Sequence, residues 1–302
     1  MRSQMLCDIR YRAVGSILLF ALSGSVAVAP SAADQQPPAA TRAHAPQADL
    51  LLRPHNGIIQ GTDQSALIRE ARHAYYSLKG EGLEEVRCQA VPDWESIFKT
   101  MRPSPVNPDQ LLPLLEKLRF QVAIGPSGGA MVSQVSDFAP PSEEMAERVQ
   151  KMAGAVVQFL HGFFDTWAPF AFGTFFSDSP AKFEFDEAQS QYRITKQKGP
   201  VVVVTTMTLH FLVTQLLLKT PQIEIVVRPQ FVSNTQGYML TGLGSVFSKG
   251  ETELADYKMD ITYMQVQGFT LPQTLTGTVD FPTRAQSATV ALKFINYQIT
   301  KQ

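Results

Sequence analysis

Cysteine is nearly absent from this chain of 302 residues: only Cys7 and Cys88 occur. Cys7 lies in an N-terminal stretch with the features of a cleavable leader, so the mature chain keeps one cysteine and can form no internal disulfide. Net charge is also lacking. The formal value is −1, and no Lys/Arg run exists. A chain without a basic field is not built to attract nucleic acid. Metal-ligand spacing is missing too. His44, His55, His73, His161 and His210 stand too far apart to form a zinc pattern with one another or with cysteine. No Gly-rich phosphate loop is present, since GLGSVF at 242–247 lacks the third glycine and the helix that should follow. No internal repeat is evident. No cofactor and no metal are expected.

What the chain does contain begins with an export signal. Arg2, Arg10 and Arg12 precede an apolar stretch from Ala13 to Ala29, and SAAD follows with Ser31 and Ala33 at small-residue positions. A positive start, apolar middle and small-x-small exit describe a secretory signal peptide spanning 1–33, cleaved after Ala33. The alternative is an uncleaved anchor, but Gly15, Ser16, Ser23, Gly24 and Ser25 make the stretch weak for a span of about 20 residues. No cysteine stands at the cut, so lipidation there is not indicated. The expected location is periplasmic or secreted, with no transmembrane anchor after cleavage. Residues 34–60, rich in Pro, Ala and Gln, read as a flexible leader.

The remaining residues, 61–302, read as a single α+β domain. Leu67, Ala71, Ala74, Tyr75 and Leu78 recur at helical spacing until Gly80 and Gly82. LEEVRCQAV alternates, which puts Cys88 on the apolar face of a strand, where a free cysteine acts as a small buried side chain. PDWESIFKTM and PDQLLPLLEKL read as short helices. Asp93 and Glu95 suit the positive end of the first. RFQVAI and AMVSQVSD flank GPSGG as a hairpin. A long helix starts at Ser142, which can cap it, with Glu143 and Glu144 in its first turn. From Lys182 onward the period changes to two, and eight or so strand-like segments follow at hairpin distances, as in an antiparallel meander. The apolar run from Val201 to Leu218 is interrupted by Thr205, Thr206, Thr208, His210, Thr214 and Gln215, which favours strands over a membrane span. The expected architecture is one large antiparallel sheet with helices gathered on one side.

Candidate chemistry is sparse. GPSGG matches Gly-x-Ser-x-Gly, but a nucleophile elbow needs a strand followed by a helix, and here a second strand follows Ser127. Asp256 and Asp260 flank Tyr257 in a strand, where paired acids usually face solvent. The most distinctive segment is FFDTWAPFAFGTFF, with Phe163, Phe164, Trp167, Phe170, Phe172, Phe175 and Phe176. Pro169 and Gly173 are expected to break any continuous helix there. These aromatics could be a core plug between helix and sheet, or a lid over an apolar cavity that moves aside for an acyl chain.

The C-terminal strands YKMDITYMQVQGFTLPQTLTGTV and ATVALKFINYQIT carry Tyr263, Val266, Gly268, Phe269, Leu271 and Pro272, then Asn296 and Tyr297 in a closing strand. This pattern resembles the last strands of the outer-membrane lipoprotein carrier and sorting proteins, the LolA/LolB-like group. A leading helix and an antiparallel sheet occur here in the same order, although residues 92–180 hold more helix than those carriers need. The resemblance implies an incomplete β-barrel, a curved sheet covered by helices on one side, holding lipid chains in the periplasm. It supplies no specific ligand-binding residue. Three functions follow as expectations. One is a non-enzymatic binder of lipid acyl chains or a lipidated partner. A second is a structural or interaction module of the envelope with a protein partner and no cavity. The third is a hydrolase using Ser127.

Overall fold

The computed structural model describes residues 57–59, 62–100, 108–135, 140–172, 175–176, 181–282 and 286–302. The segment 1–33 expected to be an export signal lies outside these residues, as does the expected flexible leader at 34–60 apart from Gly57–Ile59, which instead forms a short strand, β1. Helix α1 (Thr62–His73) follows, then β2 (Leu83–Pro92), α2 (Trp94–Thr100), α3 (Pro108–Leu115), β3 (Arg119–Ile124), β4 (Ala130–Val135) and α4 (Glu143–Ala171). Nine strands complete the chain: β5 (Lys182–Asp186), β6 (Gln191–Lys198), β7 (Val201–Thr208), β8 (Val213–Lys219), β9 (Glu224–Asn234), β10 (Gly237–Lys249), β11 (Thr252–Val266), β12 (Phe269–Phe281) and β13 (Gln286–Lys301).

All thirteen strands belong to one sheet, in the order β1-β5-β6-β7-β8-β9-β10-β11-β12-β13-β2-β3-β4. Every pairing between these strands is antiparallel. The fold is therefore α+β, with four helices among the described residues and a sheet that does not close into a barrel. From β5 to β13 each strand pairs with its sequence neighbour, the meander that short hairpin connections require. The apolar run at 201–218 divides into β7 and β8. Their turn is closed by the Phe211 N–H donating to the Thr208 carbonyl at 3.0 Å. The final strand then pairs with β2, which binds the N-terminal hairpin β3–β4 to the C-terminal end.

Register identifies the buried face. Opposed residues in a ladder share a face. Phe294 pairs with Ala90 and Ala90 with Phe120, and all three are buried. Across the middle, one row runs Phe183–Ile194–Thr205–Leu216–Val227–Ser245–Tyr257–Val279. On the opposite face the same strands carry Thr262, Thr274, Thr276 and Lys258. This alternation of apolar and polar residues is the ordinary signature of a half-buried antiparallel sheet.

Helix α4 starts where expected. Ser142 accepts a hydrogen bond from the Met145 N–H, and Glu143 and Glu144 occupy its first turn. Its apolar stripe meets the buried face of the sheet. Gly277 of β12 makes room there, because a Cβ would lie 2.7 Å from the Phe159 ring. The helix also passes through Pro169 and ends at Ala171, which corrects the expected break. A proline one turn from a helix end removes one hydrogen bond and clashes with a single carbonyl, and packing overrides that local cost. Helix α1 differs the other way: it ends at His73, short of the expected Leu78. The backbone after it pairs with β10 instead. The Tyr238 N–H donates to the Ala74 carbonyl at 2.8 Å, and the Tyr76 N–H donates to the Tyr238 carbonyl at 3.0 Å. Gly237, at φ 119°, permits this approach, since a Cβ there would meet the Ala74 carbonyl oxygen at 2.7 Å.

Where β13 extends beyond β2, α2 covers its edge. The Asp93 N–H donates to the Ala291 carbonyl at 2.8 Å, and the Thr289 N–H donates to Thr100 Oγ1 at 3.2 Å. Covering an unpaired strand edge removes a site for unwanted pairing.

Candidate ligand site

The seven aromatic candidates fall into two clusters rather than one lid. Phe163, Phe164 and Trp167 lie on α4 against Phe294 of β13. Both phenyl rings sit 5.8 Å from the Phe294 ring, and Trp167 meets Phe172 edge-on at 6.3 Å. These four candidates are buried. Phe170, Phe175 and Phe176 turn the other way, towards α1 and the β9–β10 hairpin. Phe170 stacks on Phe175 at 4.4 Å, and Tyr75 lies within 6 Å of Phe170, Phe176, Phe231 and Tyr238. Phe170 and Phe176 are buried and Phe175 half-buried. The Arg72 guanidinium fastens the second cluster to α1 by donating to the Phe176 carbonyl, from Nε at 2.8 Å and also from Nη2.

Tyrosine hydroxyls hold the irregular points of the sheet. Where β7 and β8 slip register, Tyr75 Oη donates to the Phe211 carbonyl and accepts from the Val213 N–H, both at 2.8 Å. Beside the irregularity in β10, Tyr263 Oη donates to the Leu240 carbonyl and accepts from Trp167 Nε1 at 3.0 Å. Tyr297 Oη donates to the Pro272 carbonyl at 2.5 Å, close to where β11 and β12 slip. Burial pushes all three hydroxyls well above the ordinary tyrosine value. These tyrosines take up backbone groups that the ladder releases.

Coverage of the inner face is uneven. In β10–β13, beneath α4, Leu243, Phe247, Met259, Leu275 and Leu292 are buried. In β7–β9 coverage is mixed: Val203, Leu216, Leu218 and Val227 are half-buried, whereas Thr205, Met207, Val213 and Ile225 on the same face are buried. At the margin of this less covered area lies a narrow cleft. Ile68 of α1 and Phe175 and Phe176 form one wall; Phe183, Ile194, Lys196, Val203 and Thr205 form the other. As it stands, the cleft has room for little more than a water molecule.

The other candidates are dispersed. Ser127 is exposed at the tip of the β3–β4 hairpin, with β4 and no helix after it. His73 ends α1, His161 is on α4, and His210 falls in the β7–β8 turn rather than in a strand. His44 and His55 lie outside the described residues. Asp256 and Asp260 sit on the polar face of β11, and GLGSVF lies within β10. Cys88 is buried, and desolvation pushes its thiol up to about 12. Asp93 caps α2 by accepting from the Ser96 N–H at 3.1 Å, and this bond holds its carboxyl below the usual carboxylate range. Among the described residues no three His, Cys, Asp or Glu side chains converge as a metal site, and no helix is long and apolar enough to cross a membrane.

Sequence reading found Phe175 and Phe176 but missed their companions Tyr75, Phe231 and Tyr238, and the cleft residues Ile68, Ile194 and Val203. These come from five separate elements, α1 with the segment after it, β6, β7, β9 and β10, that only the tertiary fold assembles. No family model matches the chain, and neither a curated protein nor a solved structure matches it.

Proposed function

We propose that this chain is an exported, non-enzymatic binding protein of the cell envelope that holds lipid acyl chains, or a lipidated partner, between its helices and the inner face of its sheet. In this reading the sheet is a curved, incomplete barrel with helices on its concave side, as in the lipoprotein carrier and sorting proteins that its C-terminal strands resemble. The observation that carries the proposal is the uneven coverage of the inner face. Val203, Leu216, Leu218 and Val227 form an apolar floor that the helices leave half-buried, beside a cleft walled by Phe175 and Phe176. An apolar surface inside a fold that is only partly covered is a place for an apolar ligand. The cleft is closed here, so binding requires Phe175 and Phe176 to withdraw from Ile194 and Val203. The export pattern at 1–33 and the absence of converging catalytic groups among the described residues fit the same reading.

The test is mass spectrometry of organic extracts of the purified mature protein, together with thermal unfolding of delipidated protein with and without acyl ligand. Co-extracted lipid and a ligand-dependent rise in Tm are expected. A clean extract and no shift at saturating ligand refute the reading. A second reading, an interaction module with a filled interior, is favoured by one observation: six of the seven candidate aromatics are fully packed. Co-purification of a protein partner without extractable lipid would support it.

A further inference from the structure

The outer face of the sheet is polar over β11–β13, where Thr262, Thr274 and Lys293 lie side by side. Over β7–β10 it is not. There Val204, Leu217, Val226 and Val246 oppose one another across four strands. Their neighbours Val203, Leu216 and Val227 point to the inner face, so β7–β9 are apolar on both sides. That is the pattern of strands covered on both faces, yet all four outer residues are only half-buried.

This row ends in opposite charges. Beyond Val204 the ladder passes through Thr195 to the exposed Lys182 of β5. Beyond Val246 it reaches Asp256 of β11 and then Asp280 of β12. Seven strand spacings of about 4.8 Å put Lys182 and Asp280 roughly 34 Å apart along the sheet, too far to meet within one chain. Asp256 and Asp280 stand directly opposite each other, and neither has an ion pair or hydrogen bond among the described residues. Like charges opposed across a ladder repel, so this end of the row lacks a cation. Lys182 pairs with Glu184 at 2.7 Å, an exposed contact worth little.

We propose that the row is the interface of a two-fold dimer, covered by the same row of a second copy laid face to face. Two axes can stack the faces. An axis along the row sets like charge on like charge at both ends. An axis along the strands reverses the row. Leu217 then meets the partner's Val226, Val204 meets the partner's Val246, and Lys182 meets the partner's Asp280. This second arrangement is self-complementary, as an isologous contact must be, and it keeps the strands of the two sheets aligned, as packed sheets ordinarily are. In the next row it also sets Lys219, which pairs with Glu224 in its own chain, over the partner's Glu224. On the other flank Arg193 meets the partner's Lys258, a like-charge contact softened by Asp256 and Asp260 on either side of that lysine. A patch of about 34 Å by 20 Å, three rows wide, amounts to about 1,400 Å² over two copies, within the range of specific interfaces. Because it uses the outer face, this dimer stands apart from the acyl-chain reading.

The test is the mass of the full mature protein in solution, by sedimentation equilibrium across a micromolar dilution series. A mass of two chains is expected for wild type. Leu217→Glu should weaken association at least about thirtyfold while keeping the wild-type circular dichroism spectrum. Lys182→Glu and Asp280→Lys should each weaken it roughly two- to fivefold. The double variant K182E/D280K should restore it, which no contact within one chain can do at that separation, and this rescue decides the matter if Leu217→Glu misfolds. Monomer throughout the series overturns the proposal. So does a dimer indifferent to all three single variants, or a double variant weaker than both singles. Wild-type monomer that co-sediments with dioleoyl-phosphatidylcholine vesicles, where Leu217→Glu does not, assigns the row to a lipid surface and also overturns it. Co-extracted lipid, the measure of the acyl-chain reading, is unaffected by any of these outcomes.

Discussion

Truncating Phe164 should separate core from site. Its ring is 2% exposed and packs against Phe163, Trp167 and Phe294. Removing it in Phe164→Ala deletes a buried benzyl group and leaves a hole that a helix wedged on a sheet cannot close. The transfer loss is about 1.5–3 kcal/mol, and the cavity raises the total to about 3–5 kcal/mol. For a domain of this size, each kcal/mol lowers Tm by about 2–4 °C. A fall of about 6–20 °C is therefore expected, read by calorimetry or differential scanning fluorimetry. Phe175→Ala is the contrast. That ring is half-buried, stacks on Phe170 at 4.4 Å and borders the cleft. Its loss should cost about 1 kcal/mol or a little more, with the larger effect on acyl-ligand affinity. If Phe164→Ala shifts Tm by under about 3 °C, or if Phe175→Ala is the more destabilising of the two, the division of the aromatic segment into core and cleft clusters is wrong.

Three other perturbations test separate features. Gly237→Ala places a Cβ at positive φ and 2.7 Å from the Ala74 carbonyl oxygen; unfolding in urea should show a loss of at least about 1–3 kcal/mol, and wild-type stability would contradict the tight seam between the α1 linker and β10. Cys88 should react with Ellman's reagent at pH 8 only as fast as the protein unfolds, because a buried thiol raised to about 12 has almost no thiolate there. The native state holds that proton more tightly than the unfolded chain, so this contribution to stability is intact below the ordinary thiol value near 9 and declines as pH rises towards 12; immediate labelling of folded protein would refute the placement. Asp93→Ala should cost about 1 kcal/mol as a lost N-cap. The Asp93 carboxyl is lowered in the fold, so its contribution is present above the ordinary carboxylate value and fades as pH falls below it. Wild type and variant should therefore converge in stability towards pH 2, and a constant gap across pH would show that the cap does not act through its charge.

Local signals carried most of the architecture. The β5–β13 meander was legible because alternation and turn residues lie within each strand and its neighbour. The α4 start was legible for the same reason, since Ser142, Glu143 and Glu144 are contiguous. What failed was non-local. Helical spacing through Tyr75 and Leu78 pointed to a longer α1, but the seam with Tyr238, more than 150 positions later, claimed that backbone. Pro169 pointed to a break, and the packing of α4 on the sheet prevented it. Nothing local could place β2 beside β13, although both read as strands.

The irregularity in β10 occupies the boundary between these cases. Leu243, Ser245 and Phe247 fall on one face of β10, and a slip of one residue would turn them outward. The extra residue at the irregularity lies between the hairpin end of that strand and Ser245, where Tyr263 holds the Leu240 carbonyl. It sets which side of β10 faces inward on each side of it. Loss of the Tyr263 hydroxyl in Tyr263→Phe would therefore act on register as well as on stability: it leaves the Leu240 carbonyl and Trp167 Nε1 without their partner.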